Sequence, residues 1–129
     1  MQLTNSNLLK IHNYETFMLD LHNKSGKKVG VLNQIDRINA ANAPEIKLLL
    51  NELLSEPGSQ LVLNLKNIKF IDSSGIGALI SALKTARQND GSFQLCSIQK
   101  DVFSLLSLMK LDKVFDIYSS ESECQEMIS

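Results

Sequence analysis

The sequence predicts an α/β fold, a mixed and mainly parallel β-sheet of about five strands with about four helices. Three observations predict it. Aliphatic runs with a period near two alternate with segments whose apolar residues recur every three to four positions. Helical segments of ten or more residues separate the later strands, which implies right-handed crossovers and parallel pairing. The opening strands are joined by a turn signal and add an antiparallel hairpin to that sheet.

The 129 residues suit one domain, able to bury roughly two-thirds of the surface that the unfolded chain exposes. Residues 1–13 read as an N-terminal extension or an extra strand, and residues 14–129 as the domain. From residue 14 to residue 21 the pattern alternates around Phe17, Leu19 and Leu21, meets the turn signal NKSGKK and resumes as VGVL, a hairpin. A helix follows in NAPEIKLLLNELLSEPG. Asn42 is placed to cap it, Glu45 sits three residues on as in a capping box, and Pro44 falls in the tolerated first turn. Ile46, Leu49, Leu50, Leu53 and Leu54 form one apolar face, and Pro57-Gly58 stops it.

QLVLNLKNIKF alternates Leu61, Leu63 and Leu65 against Val62, Asn64 and Lys66, and reads as a covered strand that runs into the next motif. After Ser74 the positions Ile76, Leu79, Ile80 and Leu83 change to a period of about 3.6, and Gly91 can end that helix in the left-handed conformation. The remainder repeats the alternation. It supplies strand SFQLCSI, a helix with Val102, Leu105, Leu106 and Met109 on one face, strand VFDIY, and a tail helix to which Ser120 and Glu123 offer a capping box. No repeat, linker or low-complexity segment divides the chain.

Composition excludes several classes of function. Hydrophobic residues are 43% and charged residues 21% of the chain, which argues for an ordered domain. Net charge is −1 and no Lys/Arg cluster exceeds a pair, so the electrostatic footprint of a nucleic-acid binder is missing. The N-terminus shows no basic and then apolar leader, and no window approaches the ~20 apolar residues of a membrane span, so the expectation is a cytoplasmic protein without membrane insertion. Cys96 lies in a buried-strand pattern, which argues against a disulfide with Cys124. His12 and His22 have no partners at metal-ligand spacing, so neither a metal nor a cofactor is expected.

The stretch FIDSSGIGALI, residues 70–80, interrupts an apolar run with two serines and two glycines at the strand-to-helix junction. Asp72, Ser73 and Ser74 are residue types that accept hydrogen bonds from a helix's first N–H groups, so plain capping is the bland account. Capping leaves Gly75 and Gly77 unexplained. Each costs about 0.5–1 kcal/mol relative to alanine within a helix, so their retention points to a close approach at a bare first turn, by another backbone or by a phosphate. A dinucleotide fingerprint fails because Ile80 stands at the third glycine place of G-x-G-x-x-G. A hydrolase elbow fails because Ile71 occupies the first place of G-x-S-x-G and no histidine follows. A phospho-accepting Asp72 would need a carboxylate pair for magnesium, and VGVLNQIDR supplies only Asp36.

FIDSSGIGALI resembles the signature of STAS domains, specifically bacterial anti-sigma factor antagonists. The resemblance runs roughly from residue 14 to the C-terminus. RINAANAPEIKLLL is similar to the segment before the family's first helix, LVLNLKNIKFIDSSG to its central strand and turn, and LMKLDKVFDIYSSESE to its last helix and strand. The resemblance implies a non-enzymatic partner switch with Ser73 as phosphate acceptor. Unphosphorylated protein would bind an anti-sigma factor, a serine kinase of ATPase fold, and release a sigma factor. Phosphorylation by that kinase would end binding, and a PP2C-type phosphatase would reset the switch. Asp72, Ser74, Gly75, Ile76 and Gly77 are then expected at the turn and partner surface, with core packing the favoured role for Ile76 and Leu79. Asn39 stands where the family often has aspartate, close to the acceptor, and Lys110 where it often has glycine. The alternative is a constitutive STAS scaffold of a membrane transport or signalling assembly, with Ser73 only a helix cap.

Overall fold

The computed structural model describes residues 8–13 and 17–123. The strands are β1 (Leu8–Asn13), β2 (Met18–Lys24), β3 (Lys27–Asn33), β4 (Arg37–Ile38), β5 (Gln60–Asn64), β6 (Phe70–Ile71), β7 (Ser92–Cys96) and β8 (Asp116–Tyr118). The helices are α1 (Ala43–Leu53), α2 (Ser73–Gln88) and α3 (Lys100–Leu108), with a 3-10 turn at Leu111–Lys113. A tail helix opens at Glu121.

The expected hairpin forms between β2 and β3, in register from Met18 with Asn33 to Lys24 with Lys27. Ser25 and Gly26 connect them with φ of 53° and 84°, the two positive angles that match a tight hairpin to strand twist. Residues 14–16 of the expected pattern lie outside the described residues. β1 adds antiparallel to β2, and β5, β7 and β8 add in parallel beyond β3. The six-stranded order is therefore β1-β2-β3-β5-β7-β8.

Side chains alternate across this sheet. One face, with Leu19, Leu21, Leu61, Leu63, Phe93 and Leu95, packs with α1, α2 and α3 into the main core. The other carries a small cluster of Val29, Val62 and Cys96 under Tyr118. Lys27, buried at its rim, donates to Gln94 Oε1 at 2.8 Å. Cys124 lies outside the described residues. Among the described residues no helix is long and apolar enough to cross a membrane.

Four local expectations need correction. The strand expected to run through to Phe70 divides after Asn64, because the Asn64 side chain accepts the Lys66 N–H and Ile68 N–H bonds back to Leu65 O, which turns the chain out of the sheet. Asn42 precedes α1 but makes no side-chain cap, since its backbone is already helical at ψ −14° and its amide turns back into the preceding loop. α2 ends on a left-handed Asp90, not Gly91. Gly91 N–H bonds to Ala86 O and Asp90 N–H to Arg87 O, a Schellman closure, and a Cβ on Gly91 would meet Ser59 O at 2.2 Å. Met109, expected on the buried face of α3, lies past its end and is 47% exposed, because the chain turns there through Lys110 at φ 61°.

The tail-helix capping box forms with a shifted partner. Ser120 Oγ accepts Glu123 N–H at 3.2 Å, while the Glu123 carboxylate binds the backbone N–H and hydroxyl of Ser119. These bonds to the ionised form hold Glu123 below the usual carboxylate range.

Candidate functional site

The division after Asn64 positions the serines. It delivers β6 to a small parallel pair with β4, Arg37 beside Phe70 and Ile38 beside Ile71. Asp72 N–H extends the pairing to Ile38 O at 3.1 Å. From there α2 begins.

Asp72 holds an extended backbone at φ −105° and ψ −174°, and its Oδ1 accepts the Gly75 N–H at 3.0 Å. It is the N-cap, and a sufficient one. Ser73 and Ser74 are the first two helical residues and both are exposed. Neither hydroxyl is hydrogen-bonded among the described residues. The positive end of the α2 dipole lies under both, which favours negative charge there.

The two glycines serve different purposes. A Cβ on Gly75 would lie 2.6 Å from Ile71 Cγ1, 2.8 Å from Ile38 O and 2.9 Å from Ile38 Cγ2, so Gly75 admits the chain's own β4 against the first turn and is buried by it. It does not lie on an open surface. Gly77 is exposed, and a Cβ there would meet nothing within 4 Å. It lines a shallow groove of about 310 Å³ between the starts of α1 and α2, with Ala40, Ala43, Pro44, Lys47, Ser74 and Ala78.

Ile76 is 3% exposed and Leu79 fully buried, so both belong to the core and neither reaches a partner surface. Asn39 follows β4 beside Asp72. Its Oδ1 accepts the Ala41 N–H and its own N–H donates to Asn42 Oδ1, both at 3.0 Å. An aspartate could accept the first bond equally well, so the change from carboxylate to amide removes a charge without undoing the turn.

Three further residues of this surface escaped sequence reasoning. Arg37 lies over the Phe70 ring, 5.9 Å from its centroid, and Phe70 is a large exposed apolar side chain three residues before Ser73. Lys47 forms a wall of the groove opposite Ser74. No local signal pointed to Arg37 or Phe70, because β4 and β6 are two residues long and too short to show a strand period. Among the described residues no group of three His, Cys, Asp or Glu could hold a metal ion.

A family model described as the STAS domain matches residues 11–124. An anti-sigma F factor antagonist of Paenibacillus polymyxa is 38% identical over 61 residues, 47% of this chain and 52% of that protein. An anti-sigma-B factor antagonist of Bacillus subtilis is 28% identical over 101 residues, 78% of this chain and 88% of that one. An anti-sigma-factor antagonist (STAS) domain protein of Planctomyces limnophilus superposes with a TM-score of 0.77 at 19% identity, over 84% of this chain and 96% of that one.

Proposed function

The chain belongs to the STAS domain family, and we propose that it acts there as an anti-sigma factor antagonist switched by phosphorylation of Ser73. One observation carries the reading: Asp72 does the capping, which leaves the Ser73 hydroxyl exposed and unbonded at the positive end of α2. The constitutive-scaffold alternative assigned Ser73 the cap, a role that the Asp72 carboxylate fills.

The physics of a switch follows from this geometry. Phosphorylation adds about −1.5 to −2 charge to one spot, against −1 for the whole chain. In the free protein that charge stays solvated and faces a favourable helix dipole. Within an interface it must be desolvated and repels any facing carboxylate or phosphate. A loss of about 3 kcal/mol weakens binding more than 100-fold. The folded domain thus tolerates the phosphate while the complex rejects it.

In this reading the unphosphorylated protein binds, in the cytoplasm, an anti-sigma factor that is also a serine kinase of ATPase fold, and so frees a sigma factor. The kinase ends the binding and a PP2C-type phosphatase restores it. No catalytic group of this chain takes part beyond the acceptor hydroxyl. Asn39, Ser74, Gly77, Phe70 and Lys47 form the surrounding partner surface.

Affinity capture from the source organism's lysate, with wild type and Ser73→Asp as parallel baits, tests the proposal. An ATPase-fold anti-sigma factor held by wild type and lost by Ser73→Asp supports it. Equal capture of the same proteins by both baits refutes it.

A further inference from the structure

We infer that Asn42 is a positioning residue for the acceptor turn, acting through β4 and not through the helix it precedes. Asn42 is 5% exposed. Its Oδ1 accepts the Asn39 N–H and its Nδ2 donates to the Arg37 carbonyl, both at 3.0 Å. These backbone groups flank Ile38 on either side, so one buried amide grips the chain before and after that residue.

Ile38 is the residue on which the acceptor turn rests. Its carbonyl accepts the Asp72 N–H at 3.1 Å, it pairs with Ile71, and its O and Cγ2 close over Gly75. The cap bond from Gly75 N–H to Asp72 therefore joins two residues that are each held against Ile38. A buried donor and acceptor left unpaired are costly, so the Asn42 amide resists any drift of β4. Asn42 links the start of α1 to Ser73 by this route, and its significance for switching rests on the reading of Ser73 as acceptor. The geometric claim does not.

Amide hydrogen exchange of the full chain, read by NMR, tests it. In Asn42→Ala, exchange at Asp72 and Gly75 rises tenfold or more relative to Leu61 and Leu63 in β5. The near-isosteric Asn42→Asp keeps the Oδ1 acceptor but sets a buried carboxylate oxygen against Arg37 O in place of the donor, and also raises exchange at the same two amides. It carries the test alone if Asn42→Ala does not fold. Exchange at Asp72 and Gly75 that keeps pace with β5, or that rises less than at Leu49 and Leu50 of α1, overturns the inference. No partner is needed, so a failure here is separate from a failure of the Ser73→Asp capture.

Discussion

Two helices in this chain follow the strands of one small parallel pair, and they begin differently. α1 follows β4 through a backbone turn in which Asn39 O accepts the N–H groups of both Asn42 and Ala43, and Pro44 has none to satisfy. The first two helical positions thus need no side-chain partner, and Asn42 is released to grip the loop. α2 follows β6 through an extended Asp72, whose carboxylate takes the Gly75 N–H. One side chain meets the requirement there, and the two serines behind it stay unengaged. A polar residue before an apolar helix marks where capping is possible, and the backbone angle of that residue decides whether capping occurs.

The largest way to break this comparison is Gly75→Ala. The added methyl meets Ile38 and Ile71 at contacts below 3 Å, two of them with β4, and is expected to cost about 2–3 kcal/mol in urea unfolding. A cost below about 0.5 kcal/mol would mean that β4 does not press on the first turn as described. Next, Asp72→Ala should cost about 1 kcal/mol, and Asp72→Asn should recover most of it because the side-chain oxygen remains an acceptor. Equal losses in both variants would argue that Asp72 acts through its charge and not as a cap.

Gly77→Ala sharpens the contrast between the two glycines. With nothing within 4 Å of the new Cβ, it is expected to raise stability by about 0.5–1 kcal/mol through helix propensity. A destabilised protein would contradict the open groove.

The tail helix gives the smallest effect and extends the comparison to a third start. Glu121, in its first turn, is bound by Asn64 Nδ2 at 2.6 Å and Lys24 Nζ at 3.3 Å, with His22 Nε2 at 3.6 Å. Burial alone would raise its pKa, but the hydrogen bonds from Asn64 and Lys24 and the charges of Lys24 and His22 outweigh burial and hold it below the usual value. A depressed folded value means that the stabilisation is complete above the ordinary glutamate pKa of about 4.3 and is lost as pH falls from there through the folded value. Between pH 6 and pH 3 the wild type should lose about 0.5 kcal/mol more than Glu121→Gln. Parallel acid limbs would show that the carboxylate is not held in this way.

Much of the fold was legible in the sequence because its signals are local. The period change after Ser74, the Ser25-Gly26 turn and the apolar face of Ile46, Leu49 and Leu50 each follow from neighbours a few residues away. What escaped reading depends on distant backbone. The ending of β5 rests on the Asn64 side chain folding onto Lys66, the burial of Gly75 on Ile38, and the need for Gly91 on Ser59. Of the site, Asp72 and the serines were evident as residue types, but their division of labour was not. The motif offered Ile76 a place at the partner surface and its helical phase a place in the core, and the phase prevails, turning it inward beside Leu79 and Ala78.

The measurement that bears most directly on the central claim is phosphosite mapping after incubation of the chain with ATP and the proposed ATPase-fold partner. Phosphate on Ser73, abolished in Ser73→Ala with Ser74 intact, is the predicted result. Phosphate on Ser74, or on neither serine while the partner remains bound, would contradict the assignment of the switch to Ser73.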